Sequence, residues 1–314
     1  MRDVSKEKII TLSRKILNKV DRVYSQEKFY NLFFNYIRFN LKKDFKQTNL
    51  YFNPSTNQLN QNKDIPYKFW TMWWQGIEAA PLLVKNNIKK LQQYFGKQNV
   101  VVITKKNYKE YANLSKTIID RFNSGDISHA SLSDIIRFNI LKIYGGYWVD
   151  STVEFSDTFF NYFSNEKKVE FFSICNKNQN YHNISFSRWT IWFIGGVPNY
   201  GLFNYLDKFY KIYYSNHSKS IDYFLTDDVI SYYYMNNFAY RQKCEDLAQN
   251  WHPYFIVSKF NSKFKRDYMS RVNDKLEYSI QKLTYKYDMS EIAQKKTTLY
   301  NLSIKDWDFD KFKN

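Results

Sequence analysis

The chain has 314 residues, a formal net charge of +17, 44% hydrophobic and 20% aromatic residues, and only 8 Gly and 5 Pro. That length is enough to bury a full catalytic core, and the aromatic content excludes intrinsic disorder. Two cysteines, Cys175 and Cys244, lie far apart with no metal-type spacing; this excludes a disulfide scaffold and suits a reducing compartment.

From Met1 to Lys19 charges are spread through the segment, with no basic tip ahead of an apolar block, so it does not read as a secretory signal. The longest apolar stretches, such as Ile191 to Ile194, fall far short of the ~20 residues a bilayer crossing needs. The expected location is the cytoplasm, with peripheral contact at the inner face of the cell membrane. The basic excess attracts something anionic, either nucleic acid, membrane headgroups or a phosphorylated substrate, or it is compositional drift toward Lys, Asn, Tyr, Phe and Ile.

Ile9, Leu12, Ile16, Val20 and Val23 fall at helical spacing, and Phe29, Phe33, Tyr36, Ile37 and Phe45 continue the pattern, which predicts two helices in a helical extension over 1–52. The second helix mixes large aromatics with Lys and Arg, a composition suited to a headgroup layer or to packing on a neighbouring domain. Residues 53–64 are polar and aperiodic and read as a linker, and 65–314 as the main domain.

IPYKFWTMWW, led by Pro66, reads as a strand; Gln75 and Gly76 as a loop; and the residues up to Phe95 as a helix, together the first βα unit of a nucleotide-binding sheet. NVVVIT, Asn99 to Thr104, reads as a buried parallel strand, followed by a helix-rich stretch to Phe122. Leu132, Ile136, Ile140 and Ile143 then mark a helix, the Gly145-Gly146 pair ends it, and Tyr147 to Val149 starts a strand that delivers Asp150 at its end, where ligands bind in open α/β sheets. SFSRWTIWFIGG reads as a strand pair, KSIDYFLTDDVISYYYMNNF as a helix, and QNWHPYFIV as a loop with a short strand. The basic, aromatic tail from Lys259 shows no clear organisation.

The chemistry concentrates around Asp150. A carboxylate at a strand end suits a divalent cation or the head of a sugar-diphosphate, or it is a turn aspartate. Asp134 and Arg137 share a helix face and suit sugar hydroxyls, although Ser131 to Asp134 also fits a capping box with Arg137 as a simple i,i+3 partner. Trp70, Trp73 and Trp74 cluster at a strand end, for base stacking or as core aromatics. Asp227 and Asp228 read either as N-terminal helix acids or as a late metal ligand or acceptor contact.

Taken together, IPYKFWTMWWQG, SLSDIIRFNILKIYGG, YWVDSTV, RWTIWFIGG, YFLTDDVI and KLTYK resemble the capsular polysaccharide synthesis proteins, relatives of the D-x-D sugar-binding glycosyltransferases of family 32 and, more distantly, of the glucosylating clostridial toxins. The pieces cover roughly Ile65 to Lys286, and S-D-x-x-R followed by Y-G-G-x-W-x-D is the specific combination. The resemblance implies an α/β, GT-A type Rossmann-like domain that binds a nucleotide sugar, a UDP-hexose, and transfers the sugar with retention. It implies that Trp74 stacks on the base, that Asp134 and Arg137 hold the sugar and that Asp150 is the first acid of the D-x-D. Beside these, Trp73, Gly145, Gly146 and Lys286 are candidate donor-side residues and Asp228 a candidate member of the catalytic set. The second acid of that motif is replaced by Thr152, so a Mn2+ or Mg2+ ion at Asp150 would need Glu154 or Asp227; without one, Arg137, Lys282 or Lys286 balances the diphosphate. The expected acceptor is a saccharide or a polyprenyl-diphosphate-linked sugar, with a protein acceptor in the toxin manner as the alternative. A nucleic-acid-binding protein is the reading from another class, but it leaves the Asp-rich strand end unexplained, so no nucleic acid is expected.

Overall fold

The computed structural model describes residues 2–21, 27–55, 63–165, 168, 170–176, 181–247, 251–260, 262 and 265–286. Two helices open the chain, α1 (Arg2–Asp21) and α2 (Glu27–Asn49). Strand β1 (Phe69–Met72) leads through α3 (Leu82–Phe95) to β2 (Val100–Ile103), and α4 (Tyr108–Tyr111), α5 (Lys116–Asn123) and α6 (His129–Tyr144) lead to β3 (Gly146–Val149). Then come β4 (Val153–Phe155), α7 (Asp157–Asn165), β5 (Phe171–Ser173), β6 (Phe193–Gly196), α8 (Gly201–Asn216) and α9 (Leu225–Asn236). The chain continues through α10 (Phe238–Asp246), α11 (Phe255–Lys259) and α12 (Arg266–Asp274) to β7 (Ile280–Lys282).

The central sheet has five strands in the order β2-β1-β3-β6-β5. β1 pairs in parallel with both β2 and β3, whereas β6 runs antiparallel to β3 and β5. This is a mixed α/β fold with a parallel-rich, Rossmann-like centre. β4 and β7 form a separate two-stranded ladder with Val153 opposite Lys282.

Continuous apolar runs make β1 and β3 central strands, as their near-complete burial shows. Helix α2 buries Tyr30, Phe33, Phe34, Ile37, Leu41 and Phe45 against α8 and α9, so the N-terminal helices share one core with the sheet. Each such side chain removed from water contributes about 2 kcal/mol.

Gly145 and Gly146 have φ of +64° and +90°, and a Cβ there would lie 2.7 Å from the Gly196 carbonyl oxygen and 2.4 Å from the Lys68 carbonyl oxygen, respectively. The pair therefore turns the chain and lets backbones meet. It lies at the opposite end of β3 from Asp150, so the structure does not bring it to a donor site.

Several expectations change. The cap of α6 is Ser128, whose Oγ accepts from Ser131 N (3.1 Å), so Asp134 falls in the second turn and is not part of a capping box. RWTIWFIGG supplies only β6; its neighbour β5 comes from Phe171–Ser173. The run after His252 is the helix α11, with Ile256 N donating to Gln281 Oε1 (2.9 Å), and the strand of this region is β7 in the tail. The expected linker at 53–64 lies outside the described residues over 56–62, as does the end of the main domain beyond Lys286. Among the described residues, no helix is long and apolar enough to cross a membrane.

Candidate functional site

Parallel pairing puts the C-terminal ends of β1 and β3 side by side, and the antiparallel β6 starts beside the end of β3, with Val149 opposite Phe193. Three loops therefore meet at one edge: Trp73 to Gln75 after β1, Asp150 to Thr152 after β3, and the segment up to Trp192 before β6. They enclose a cleft of about 540 Å³, within the usual range for a small-ligand site. Helix α6 presents Asp134 and Arg137 to it, the start of α9 presents Thr226 and Asp227, and β7 with the residues after it presents Lys282 and Lys286.

Arg137 organises the floor. Its guanidinium is buried and donates to Asp134 Oδ1 (2.7 Å) and Asp150 Oδ1 (2.9 Å), while lying 4.9 Å from the centre of the Trp148 ring. The Trp148 indole N–H donates to the same Asp150 oxygen (2.9 Å), and Lys282 Nζ donates to Asp150 Oδ2 (2.7 Å) and Thr152 Oγ1 (2.6 Å). On the far side, Thr226 Oγ1 donates to Asp134 Oδ2 (2.7 Å). Asp134, Arg137 and Asp150 are thus one connected unit.

The three cleft acids differ in ionisation. Burial alone would raise Asp150, but Lys282 and then Arg137 overcome it and hold its carboxyl below the usual carboxylate range. For Asp134 burial prevails over Arg137 and Thr226, and the carboxyl is raised. Asp227 is pushed up to about 6, first by burial and then by the nearby Asp134, against the stabilising hydrogen bond from Trp189 Nε1 (2.9 Å).

The tryptophans separate. Trp70 is a core residue whose indole donates to the Gly145 carbonyl (2.9 Å). Trp74 stands in the cleft wall with Tyr108, Phe122 and His129 around it, ring centres 5.1, 5.3 and 6.3 Å away. Trp73 also lines the cleft, 5.2 Å from the Tyr285 ring.

Two expected site residues lie elsewhere. Asp228 is 0% exposed and does not line the cleft, because successive helical residues diverge by about 100°, which turns it inward while Asp227 faces out. Burial and then neighbouring Asp222 push its carboxyl well above the usual range. Glu154 points off the β4 ladder to Lys90 Nζ (2.7 Å) on α3 and is not a ligand beside Asp150.

The donors present do not fit a divalent cation. Both Asp150 oxygens already accept from cationic groups, Thr152 Oγ1 accepts from Lys282, and Asp227 accepts from Trp189. Among the described residues no three His, Cys, Asp or Glu side chains converge. Arg137 and Lys282 supply the positive charge against Asp150 instead.

Lys282, Trp148, Trp189, Thr226 and the pair Trp192–Tyr254, joined by an indole hydrogen bond of 3.0 Å, complete the site. Trp189 and Trp192 had a signal in the run RWTIWFIGG; Lys282 was expected as a diphosphate cation, but the β4–β7 pairing that sets it against Asp150 had no signal of its own. A family profile described as capsular polysaccharide synthesis protein matches residues 15–302. No curated protein and no solved structure gives a significant match.

Proposed function

Because the chain belongs to the capsular polysaccharide synthesis family, we propose that its cleft transfers a hexosyl group from a nucleoside-diphosphate sugar, a UDP-hexose, to a hydroxyl of a saccharide or polyprenyl-diphosphate-linked acceptor on the cytoplasmic side. The observation that carries this reading is the buried Arg137 bridging Asp134 and Asp150 under an open, tryptophan-walled cleft. An arginine held from two sides is preorganised to meet polar groups without reorganising during reaction.

The assigned roles follow from residue chemistry. Trp74, with Trp73 beside it, offers an aromatic face to the base. Asp134 and Arg137 bind sugar hydroxyls. Lys282 and Lys286 meet the diphosphate, whose negative charge grows as the bond from the sugar C1 to the diphosphate oxygen breaks. The acceptor oxygen forms the new bond to C1 and gives up its proton. Asp227, with its pKa raised to about 6, is largely ionised at neutral pH yet a better proton acceptor than an ordinary carboxylate, so it takes that proton. Retention of anomeric configuration, which the family resemblance implies, is read by NMR of the product.

The test is turnover of a panel of nucleotide sugars with Mn2+ or with EDTA, alongside calorimetric titration with UDP. The expected result is UDP binding and turnover of one donor, with the EDTA rate within about threefold of the Mn2+ rate. Absence of both turnover and UDP binding overturns the proposal.

A further inference from the structure

Helices α1 and α2 each bury one face and leave a second apolar face in solvent. On α1 the inward side chains include Ile10 and Leu17, and the outward ones are Ile9, Leu12, Ile16 and Val20. On α2 the outward row is Phe29, Leu32, Tyr36 and Phe39. The steps of three and four residues keep each row on a single helix face. These eight side chains are between 42% (Tyr36) and 72% (Phe39) exposed, far more ordered apolar surface than scattered exposure produces. The fold makes no use of them, since Tyr30, Phe33, Phe34, Ile37, Leu41 and Phe45 already seat α2 on the domain.

Basic residues flank the rows. Lys8, Lys15 and Lys19 on α1 and Lys28, Lys42, Lys43 and Lys46 on α2 are exposed, outnumbering the exposed Glu27 and half-buried Glu7, while Asp44 is turned inward against His217 (3.0 Å). Between α2 and α9 lies an open groove of about 690 Å³ with Phe39, Leu50 and Met235 in its bed and Lys42 and Lys46 at its rim. An apolar bed under a cationic rim complements an acyl chain below an anionic headgroup.

We propose that this face docks on an anionic phospholipid bilayer, with α1 and α2 lying in the headgroup layer. Charge complementarity selects the occupant: a bilayer bearing negative headgroups neutralises the lysine rows, while a second copy of the chain would set like charges against each other. The cleft plays no part in the argument, so the proposal is independent of the transferase reading.

The experiment is co-sedimentation of the full chain with phosphatidylcholine vesicles, with and without phosphatidylglycerol, at low and high salt. Expected is binding about tenfold stronger to the anionic vesicles and weakened by salt. Leu32→Gln with Phe39→Gln, and separately Lys42→Glu with Lys46→Glu, each lower it about tenfold. All four positions are exposed, so circular dichroism and the melting temperature remain those of the parent, which confirms that the variants fold. Equal binding to both vesicle types overturns the proposal. So does a concentration-dependent dimer, seen by sedimentation velocity in place of vesicle binding and dissolved by the Leu32 and Phe39 changes.

Discussion

At its first residue β3 has no room for a methyl group, and just past its last residue the same strand meets a cleft floored by an arginine between two acids. The first end is determined by backbone contact, the second by charge. Substitutions at the glycine end should therefore act on folding, and those at the Asp150 end mainly on chemistry and on the pH dependence of stability.

The sharpest break is Gly146→Ala. Its Cβ would meet backbone that cannot rotate away, at a φ that L-residues avoid, so a loss of more than about 4 kcal/mol is expected, visible as failure to accumulate soluble protein. Next is Arg137→Met, which leaves Asp134 and Asp150 without their shared partner. We expect about 3 kcal/mol less stability by urea unfolding and no detectable transfer; unchanged stability would mean that solvent already screens the two acids. Lys282→Ala should lower kcat/KM about a hundredfold, or roughly 2.7 kcal/mol, which added Mn2+ should not restore, and should also lower the urea midpoint because Asp150 loses the first of the two charges that keep it ionised.

Asp227→Asn reverses the direction. Because burial raises the folded pKa to about 6, above the ordinary carboxyl value of 3.8, the folded state retains a proton that the unfolded chain has released between those values. The contribution to stability is full below the lower value and lost as pH rises through the upper one. The amide should thus gain up to about 3 kcal/mol over the parent at pH 8 and nothing near pH 3.5, while abolishing the rise in parent activity as pH increases through about 6. The smallest effect is Trp70→Phe, which removes the bond to the Gly145 carbonyl and should cost about 1 kcal/mol without altering donor binding.

The same contrast explains what could be read from the sequence. Long apolar runs and a glycine pair carry their own local signal, so β1, β2, β3, α6 and the position of Asp150 at a strand end were all legible. Three-residue strands such as β5 and β7 carry almost none, since their stability comes from partners distant in the chain. Neighbouring acids were legible as a pair but not by orientation: one step along α9 separates the cleft-facing Asp227 from the buried Asp228, and one step along β4 takes Glu154 to Lys90. The capping serine was misplaced by three positions because Ser128 and Ser131 are both chemically suitable, and only the backbone path selects between them.

The register of β7 on β4 has a consequence for biosynthesis. Lys282 stands opposite Val153 and reaches Asp150 from 132 positions later in the chain. A nascent polypeptide can form the β1–β2–β3 centre early, yet the cleft lacks the cation that the proposed function sets against the donor diphosphate until that late lysine emerges and its strand docks. Chains terminated before Lys282 should therefore be inactive even where they fold, so docking of β7 on β4, and not initial collapse, marks the onset of competence.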